Sequence, residues 1–250
     1  MPLDFSDPAG GDTLGDGTTE SLLEHPMPID GQSLHGRFLV LDGPDGCGKS
    51  TQLARLADWL GSIGADPITV REPGGTAIGE RIREVLLDPA CSEMDLRCEM
   101  LLYMASRAQL CRERIRPALA VGRTVIADRF VSSTLAYQGT AGGLSPEAIA
   151  AVGRVATEDL EPDLTVVLDV DETVAASRLS PVLDRIEQRG IEFHRRVRAG
   201  FLEQARRWPD RHEVVDTSPP PEIVFRAIES AIERHAAHWT APATIASERG

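Results

Sequence analysis

The chain has 250 residues, 42% of them hydrophobic, and a formal net charge of −13, so it can bury one sizeable core and offers no basic face for duplex nucleic acid. No apolar run approaches the length of a membrane-spanning helix. Its four cysteines form no Cys-x-x-Cys pair and none of its six histidines stands at ligand spacing from them, which argues against zinc and for free thiols in the reducing cytoplasm.

Residues 1–31 hold seven acids (Asp4, Asp7, Asp12, Asp16, Glu20, Glu24 and Asp30) and no Lys or Arg, leaving −6 for the rest. This stretch is rich in Gly, Asp, Thr and Pro, and it lacks the basic start and apolar run of a secretory signal and the arginines of a transit peptide. Residues 1–35 are expected to be a disordered acidic extension, with Met27 an alternative start. The main domain is expected over 36–239, with residues 240–250 a second loose end.

The apolar run at 37–41 reads as a buried strand. It leads into Gly43-Pro44-Asp45-Gly46-Cys47-Gly48-Lys49-Ser50, the G-x-x-x-x-G-K-[ST] phosphate-loop pattern, and helical spacing follows over 51–60. Lys49 is the only lysine; the other cationic side chains are 25 arginines. A compact ammonium fits between β- and γ-phosphate oxygens where a planar guanidinium does not. Glycines turn the loop's N–H groups toward phosphate, and the helix N-terminus adds attraction. Ser50 is expected on Mg²⁺, and Cys47, at the helix start, is expected to have some thiolate character.

Beyond the loop, 67–70 reads as a strand ending in Arg71-Glu72-Pro73-Gly74-Gly75-Thr76, followed by a helix over 78–87. A long helical pattern covers 94–121, with Pro117 expected to kink or end a segment. A third strand at 124–127 finishes in Asp128-Arg129, and 146–159 is helical. The β-branched run at 164–170 is a strand covered on both faces. Helices over 173–179 and 187–207, a strand at 213–215 and a helix over 221–235 complete an α/β chain. The alternation predicts a doubly wound parallel sheet whose ligands bind beyond the strand carboxyl ends, where Asp45, Arg71-Glu72 and Asp128-Arg129 converge.

The stretches Gly43 to Thr51, Arg71 to Thr76, Leu102 to Gln109, Asp128-Arg129 with Ser133 to Gly139, and Leu183 to Glu187 stand in the order found in the thymidylate kinase family of P-loop nucleoside monophosphate kinases, which the chain resembles over about residues 37–232. The resemblance implies transfer of the γ-phosphoryl of ATP to dTMP with Mg²⁺, and a homodimer with apolar faces on 94–119 and 146–159. The acceptor is already an ionised phosphate, so catalysis reduces to positioning and charge neutralisation without a general base.

By similarity, the loop from Gly43 to Thr51 holds ATP, with Lys49 and Asp45 acting on the phosphates and Asp128 beside Ser50 at Mg²⁺. Arg83 and Arg129 grip the acceptor phosphate. Tyr103, at a position usually Phe, stacks on thymine, and Arg107, one helical turn on, donates to a thymine carbonyl. Ser133, Thr134 and Gln138 complete the base-edge and phosphate contacts, Tyr137 crowds a ribose 2′ position, and Glu72 faces the sugar hydroxyl. Arg178, just before a lid at about 179–190, packs on adenine. Gly46 stands where some members carry arginine, so the transition-state charge is expected to fall to Arg185. The rivals are a P-loop kinase of another small acceptor, an inactive nucleotide-binding module and a GTP switch. The switch would need an Asn-Lys-x-Asp motif, and the chain has no asparagine.

Overall fold

Five strands and nine α-helices alternate along the described residues of the computed structural model, 29–178 and 183–239. In chain order these are β1 (Phe38–Asp42), α1 (Lys49–Ser62), β2 (Pro67–Arg71), α2 (Ala77–Leu87), α3 (Leu96–Leu110), α4 (Arg116–Ala120), β3 (Thr124–Asp128), α5 (Val131–Thr134), α6 (Pro146–Thr157), β4 (Leu164–Asp169), α7 (Glu172–Ser177), α8 (Ile191–Arg207), β5 (His212–Asp216) and α9 (Pro221–Ala236). The sheet order is β2-β3-β1-β4-β5 and every pairing is parallel, as expected for a doubly wound fold.

Alternate residues of β1 enter separate cores. Leu39 and Leu41 pack with Leu56, Leu60 and Ile228 of α1 and α9, whereas Phe38 and Val40 pack with Leu110, Ile115 and Phe130 on the opposite face. Cover on both faces explains why this strand is apolar from Phe38 to Leu41 rather than alternating. The chain leaves β1 toward β2 and β3 on one side and reaches β4 and β5 on the other, so a crevice opens at the carboxyl end of β1, where the phosphate loop begins.

Several boundaries differ from the sequence reading, each for a local reason. The last residues of the extension expected through residue 35 are folded. Gly31–Leu34 forms a 3₁₀ turn capped by Asp30, and Leu34 is fully buried while its carbonyl accepts the Thr124 hydroxyl at 2.6 Å. Residues 1–28 and 240–250, expected to be disordered, lie outside the described residues, as do 179–182 of the lid. The helix expected over 94–121 begins after its cap, Asp95. It opens into a π-helical turn over Cys111–Ile115 just before Pro117, which has no N–H for the carbonyl four residues back, and continues as α4. The helix expected over 187–207 is interrupted by Gly190 at φ 77°, so α8 starts at Ile191. A second π-helical turn, Leu135–Ala141, follows α5 and carries Tyr137 and Gln138.

Candidate active site

Gly43, Gly46 and Gly48 all have positive φ (141°, 78° and 92°), which lets the loop curl back over the N-terminus of α1. At Gly46 the requirement is also steric, because a Cβ there would lie 2.3 Å from the Ala175 carbonyl oxygen of α7. No arginine fits in this loop position. Lys49 is buried, and its Nζ donates to the Gly43 and Pro44 carbonyls at 3.2 and 3.1 Å. Ser50 and Thr51 are exposed at the head of α1. Cys47 differs from expectation. Its side chain is fully buried, and burial pushes the thiol pKa up despite the nearby charges of Lys49 and Arg129.

β3 ends next to β1, with the Arg129 amide donating to the Leu41 carbonyl at 3.0 Å, so Asp128 and Arg129 stand at the root of the loop. Arg129 adopts φ 72°, which turns its guanidinium onto the Gly43 carbonyl (2.9 Å), the Ser133 hydroxyl (3.0 Å) and the Asp45 carboxylate. Asp45 also accepts the Tyr137 hydroxyl at 2.7 Å. Burial raises the Asp45 pKa, but Arg129, Lys49 and that hydroxyl outweigh it and hold the carboxyl below its ordinary value. Burial disfavours the Arg129 charge, and Tyr137, Asp45 and Asp42 more than offset it, keeping the guanidinium protonated.

Beside this cluster lies a cleft lined by Asp45, Glu72, Pro73, Arg83, Leu87, Tyr103, Arg129, Ser133, Thr134, Tyr137, Gln138, Asp184 and Ile186. Eight of the nine residues expected on the acceptor side therefore share one wall system. Arg83 is held by the Pro73 carbonyl at 3.0 Å. Tyr103 faces the cleft, and burial, with Glu99 nearby, raises its phenol pKa.

The exception is Arg107, which is 1% exposed and sits behind the cleft wall. Its donors are engaged within the protein: Nε with Glu72 Oε2 at 2.7 Å, Nη1 with Thr134 Oγ1 at 3.2 Å, and Nη2 with the Phe130 carbonyl at 2.9 Å. In this structure it buttresses Glu72 and Thr134 instead of presenting itself to a base. Both guanidinium contacts reach Glu72 Oε2, at 2.7 and 2.5 Å, and the buried Oε1 has no partner among the described residues. Burial accordingly raises the Glu72 pKa to about 7 in spite of Arg107.

Arg185 also departs from expectation. It is buried, pairs with Glu99 at 2.7 Å and donates through Nε to the Leu86 carbonyl at 2.8 Å, so it is not brought to the phosphate loop. Arg178 is exposed near the end of β5, with Nη2 3.4 Å from the Thr217 carbonyl. Two acids went unremarked in the sequence. Asp42, fully buried, accepts from the Gly43 amide (2.9 Å), Ser132 (2.6 Å) and Ser133 (2.7 Å). Glu99, also fully buried, binds Arg185, Arg189 and Gln138. Each could have been noticed, Asp42 as an acid closing an apolar strand and Glu99 as an acid one helical turn before Tyr103.

Mg²⁺ needs oxygen donors and keeps several of its ligands from phosphate and water. Asp128 and Ser50 suit it. Among the described residues Asp128 Oδ1 is buried without a partner at the end of β3, and the Ser50 hydroxyl stands at the exposed head of α1.

The comparisons with known proteins agree with this geometry. A family profile described as thymidylate kinase matches residues 41–228. A thymidylate kinase of Deinococcus radiodurans is 48% identical over 201 residues, covering 79% of this chain and 96% of its own. One of Lactobacillus helveticus is 41% identical over 206 residues, covering 80% and 97%. The crystal structure of thymidylate kinase from Ehrlichia chaffeensis superposes with a TM-score of 0.67 at 30% identity, covering 80% of this chain and 99% of that one. With the phosphate-loop pattern at the crevice, a cleft lined by Arg83 and Arg129 beside it and relatives matched over nearly their whole length, this chain belongs to the thymidylate kinase family.

Proposed function

We propose that the protein phosphorylates dTMP to dTDP with ATP, using Mg²⁺. The observation that carries this reading is the shared cleft, in which Arg83 and Arg129 stand with Tyr103, Thr134 and Gln138 beside the phosphate loop. Arginine forks suit the acceptor phosphate and an aromatic face with amide and hydroxyl groups suits a pyrimidine. Glu72 Oε1, buried without a partner among the described residues, is available to accept a sugar hydroxyl. Asp45 holds Arg129 and Tyr137 in place and so fixes the acceptor phosphate relative to the loop.

Lys49 carries the charge for the transferring phosphoryl group, and the loop amides and α1 N-terminus hold the donor phosphates. Ser50 and Asp128 hold Mg²⁺, which supplies charge neutralisation on the phosphates when bound. In this reading Arg178, beside Thr217, packs on the adenine. With Arg185 tied to Glu99, transition-state charge falls in this reading to Lys49 and Arg129.

A homodimer is part of the same proposal, supported by Leu101 and Val155, which are 52% and 81% exposed on the mutually packed α3 and α6. The cytoplasm is the proposed compartment. Four unpaired cysteines suit it, and no helix among the described residues is long and apolar enough to cross a membrane.

The test is to separate the products of ATP and dTMP by ion exchange, with wild type and Lys49→Arg. Conversion to ADP and dTDP, at least ~10²-fold slower in the variant at unchanged melting temperature, is expected. Near-normal turnover in the variant would overturn the phosphate-loop assignment.

A further inference from the structure

We infer that Glu99 is a positioning residue that clamps segment 184–189 onto the acceptor cleft; this rests on the acceptor reading above. Its carboxylate is fully buried on α3, one helical turn before Tyr103 and on the same face. Oε1 accepts from Gln138 Nε2 at 2.8 Å, and Oε2 accepts from Arg185 Nη1 at 2.7 Å and Arg189 Nη2 at 2.5 Å.

Each partner belongs to a different wall of the cleft. Gln138 lines it from the π-helical turn after α5, Asp184 and Ile186 line it on either side of Arg185, and Tyr103 lines it from α3 itself. Arg185 extends the clamp to α2, where Nε and the backbone amide donate to the Leu86 and Leu87 carbonyls at 2.8 and 3.2 Å, one turn beyond Arg83. Those carbonyls have no helical partner of their own, being at the end of α2. One carboxylate therefore joins four elements whose side chains enclose the acceptor.

The two arginines are not equivalent. Arg185 is 5% exposed with three anchors, while Arg189 is 23% exposed, held by Glu99 and the Phe193 ring at 4.8 Å, and followed by Gly190 at φ 77°. Arg189 is the leg that releases first. Two guanidiniums share one buried carboxylate, so neutralising Glu99 frees both while an amide can still accept from Gln138. None of the polar partners of Glu99 belongs to the phosphate loop, so the effect falls on the acceptor and spares ATP.

The experiment compares wild type, Glu99→Gln, Arg189→Gln and the double variant by initial rates with dTMP and with ATP varied, alongside limited trypsin cleavage after Arg185 and Arg189. Glu99→Gln is expected to raise the dTMP KM about 10-fold with ATP KM and kcat changed by less than about 3-fold, and to speed cleavage at those arginines. Arg189→Gln is expected to raise the dTMP KM about 3-fold, and the double variant to fall well short of the product of the two single effects. An unchanged dTMP KM and cleavage rate, or full multiplication of the two effects, overturns the clamp. If Glu99→Gln does not fold, Arg189→Gln alone decides by the same KM split. Should wild type show no preference for dTMP, the substrate reading fails while the trypsin result still judges the clamp.

Discussion

Arg107 and Glu72 meet in a buried ion pair, Nη2 to Oε2 at 2.5 Å, with their side chains 1% and 3% exposed. The pair joins α3 to the end of β2 behind the cleft wall, so Arg107 bears on the cleft only through Glu72 and Thr134. Arg107→Ala is therefore expected to cost stability first. At pH 8 the loss should be ~3–5 kcal/mol, the range for stripping a buried charge of its partner. Urea unfolding measures it, and a change within ~0.5 kcal/mol would mean that the pair does not hold the wall.

Glu72 gives this region a pH signature. Its pKa is raised from 4.5 to about 7, so between those values the folded protein keeps a proton that the unfolded chain has lost. Stability from this group is full below about pH 4.5 and falls as pH rises toward 7, by an amount on the order of 1–3 kcal/mol. Comparing unfolding free energies at pH 5 and pH 7.5 in wild type and Glu72→Gln isolates the contribution. Wild type should lose more stability than the variant; parallel profiles would contradict the shift.

Gly46→Ala should strain the phosphate loop, since φ 78° disfavours a side chain and the new Cβ would lie 2.3 Å from the Ala175 oxygen. A loss of ~1–3 kcal/mol is expected, with weaker ATP affinity as the loop moves away from α7. Gly48→Ala, with no atom within 4 Å of its added Cβ, serves as the comparison for φ strain alone. Equal losses in both would remove the steric argument.

Much of this arrangement was legible in the sequence, and the departures have common causes. The phosphate loop carries its own context, an apolar strand before it and helical spacing after it, so its position followed from local pattern. The residues expected on the acceptor side converge because Glu72 and Arg129 directly follow parallel strands. Arg107 and Arg185 were read as facing ligand because spacing gives a helical face or a lid position, not the long-range acid that captures the side chain. Glu72 lies 35 residues from Arg107 in sequence, and Glu99 lies far before Arg185. The break at Gly190 and the π-helical turn before Pro117 depend on backbone geometry that apolar spacing smooths over.

Residues 29–35 belong to the folded domain, so two truncations should behave differently. Removing residues 1–26 is expected to leave melting temperature and turnover unchanged, because that segment is acidic and poor in apolar residues. Removing residues 1–35 takes away Leu34, fully buried in the core with α1, and should cost ~2–4 kcal/mol. Thermal unfolding of the two shortened proteins checks both. Equal melting temperatures would show that the turn at Gly31–Leu34 contributes nothing.

The most direct test of the assigned activity is kcat/KM with ATP and Mg²⁺ for dTMP, dCMP and dGMP under one set of conditions, followed as ADP release. dTMP is expected to lead the others by at least ~10²-fold, since a pocket with fixed hydrogen-bonding groups rejects bases that leave them unpaired. Comparable values for all three nucleotides, or no ADP release with dTMP, would contradict it.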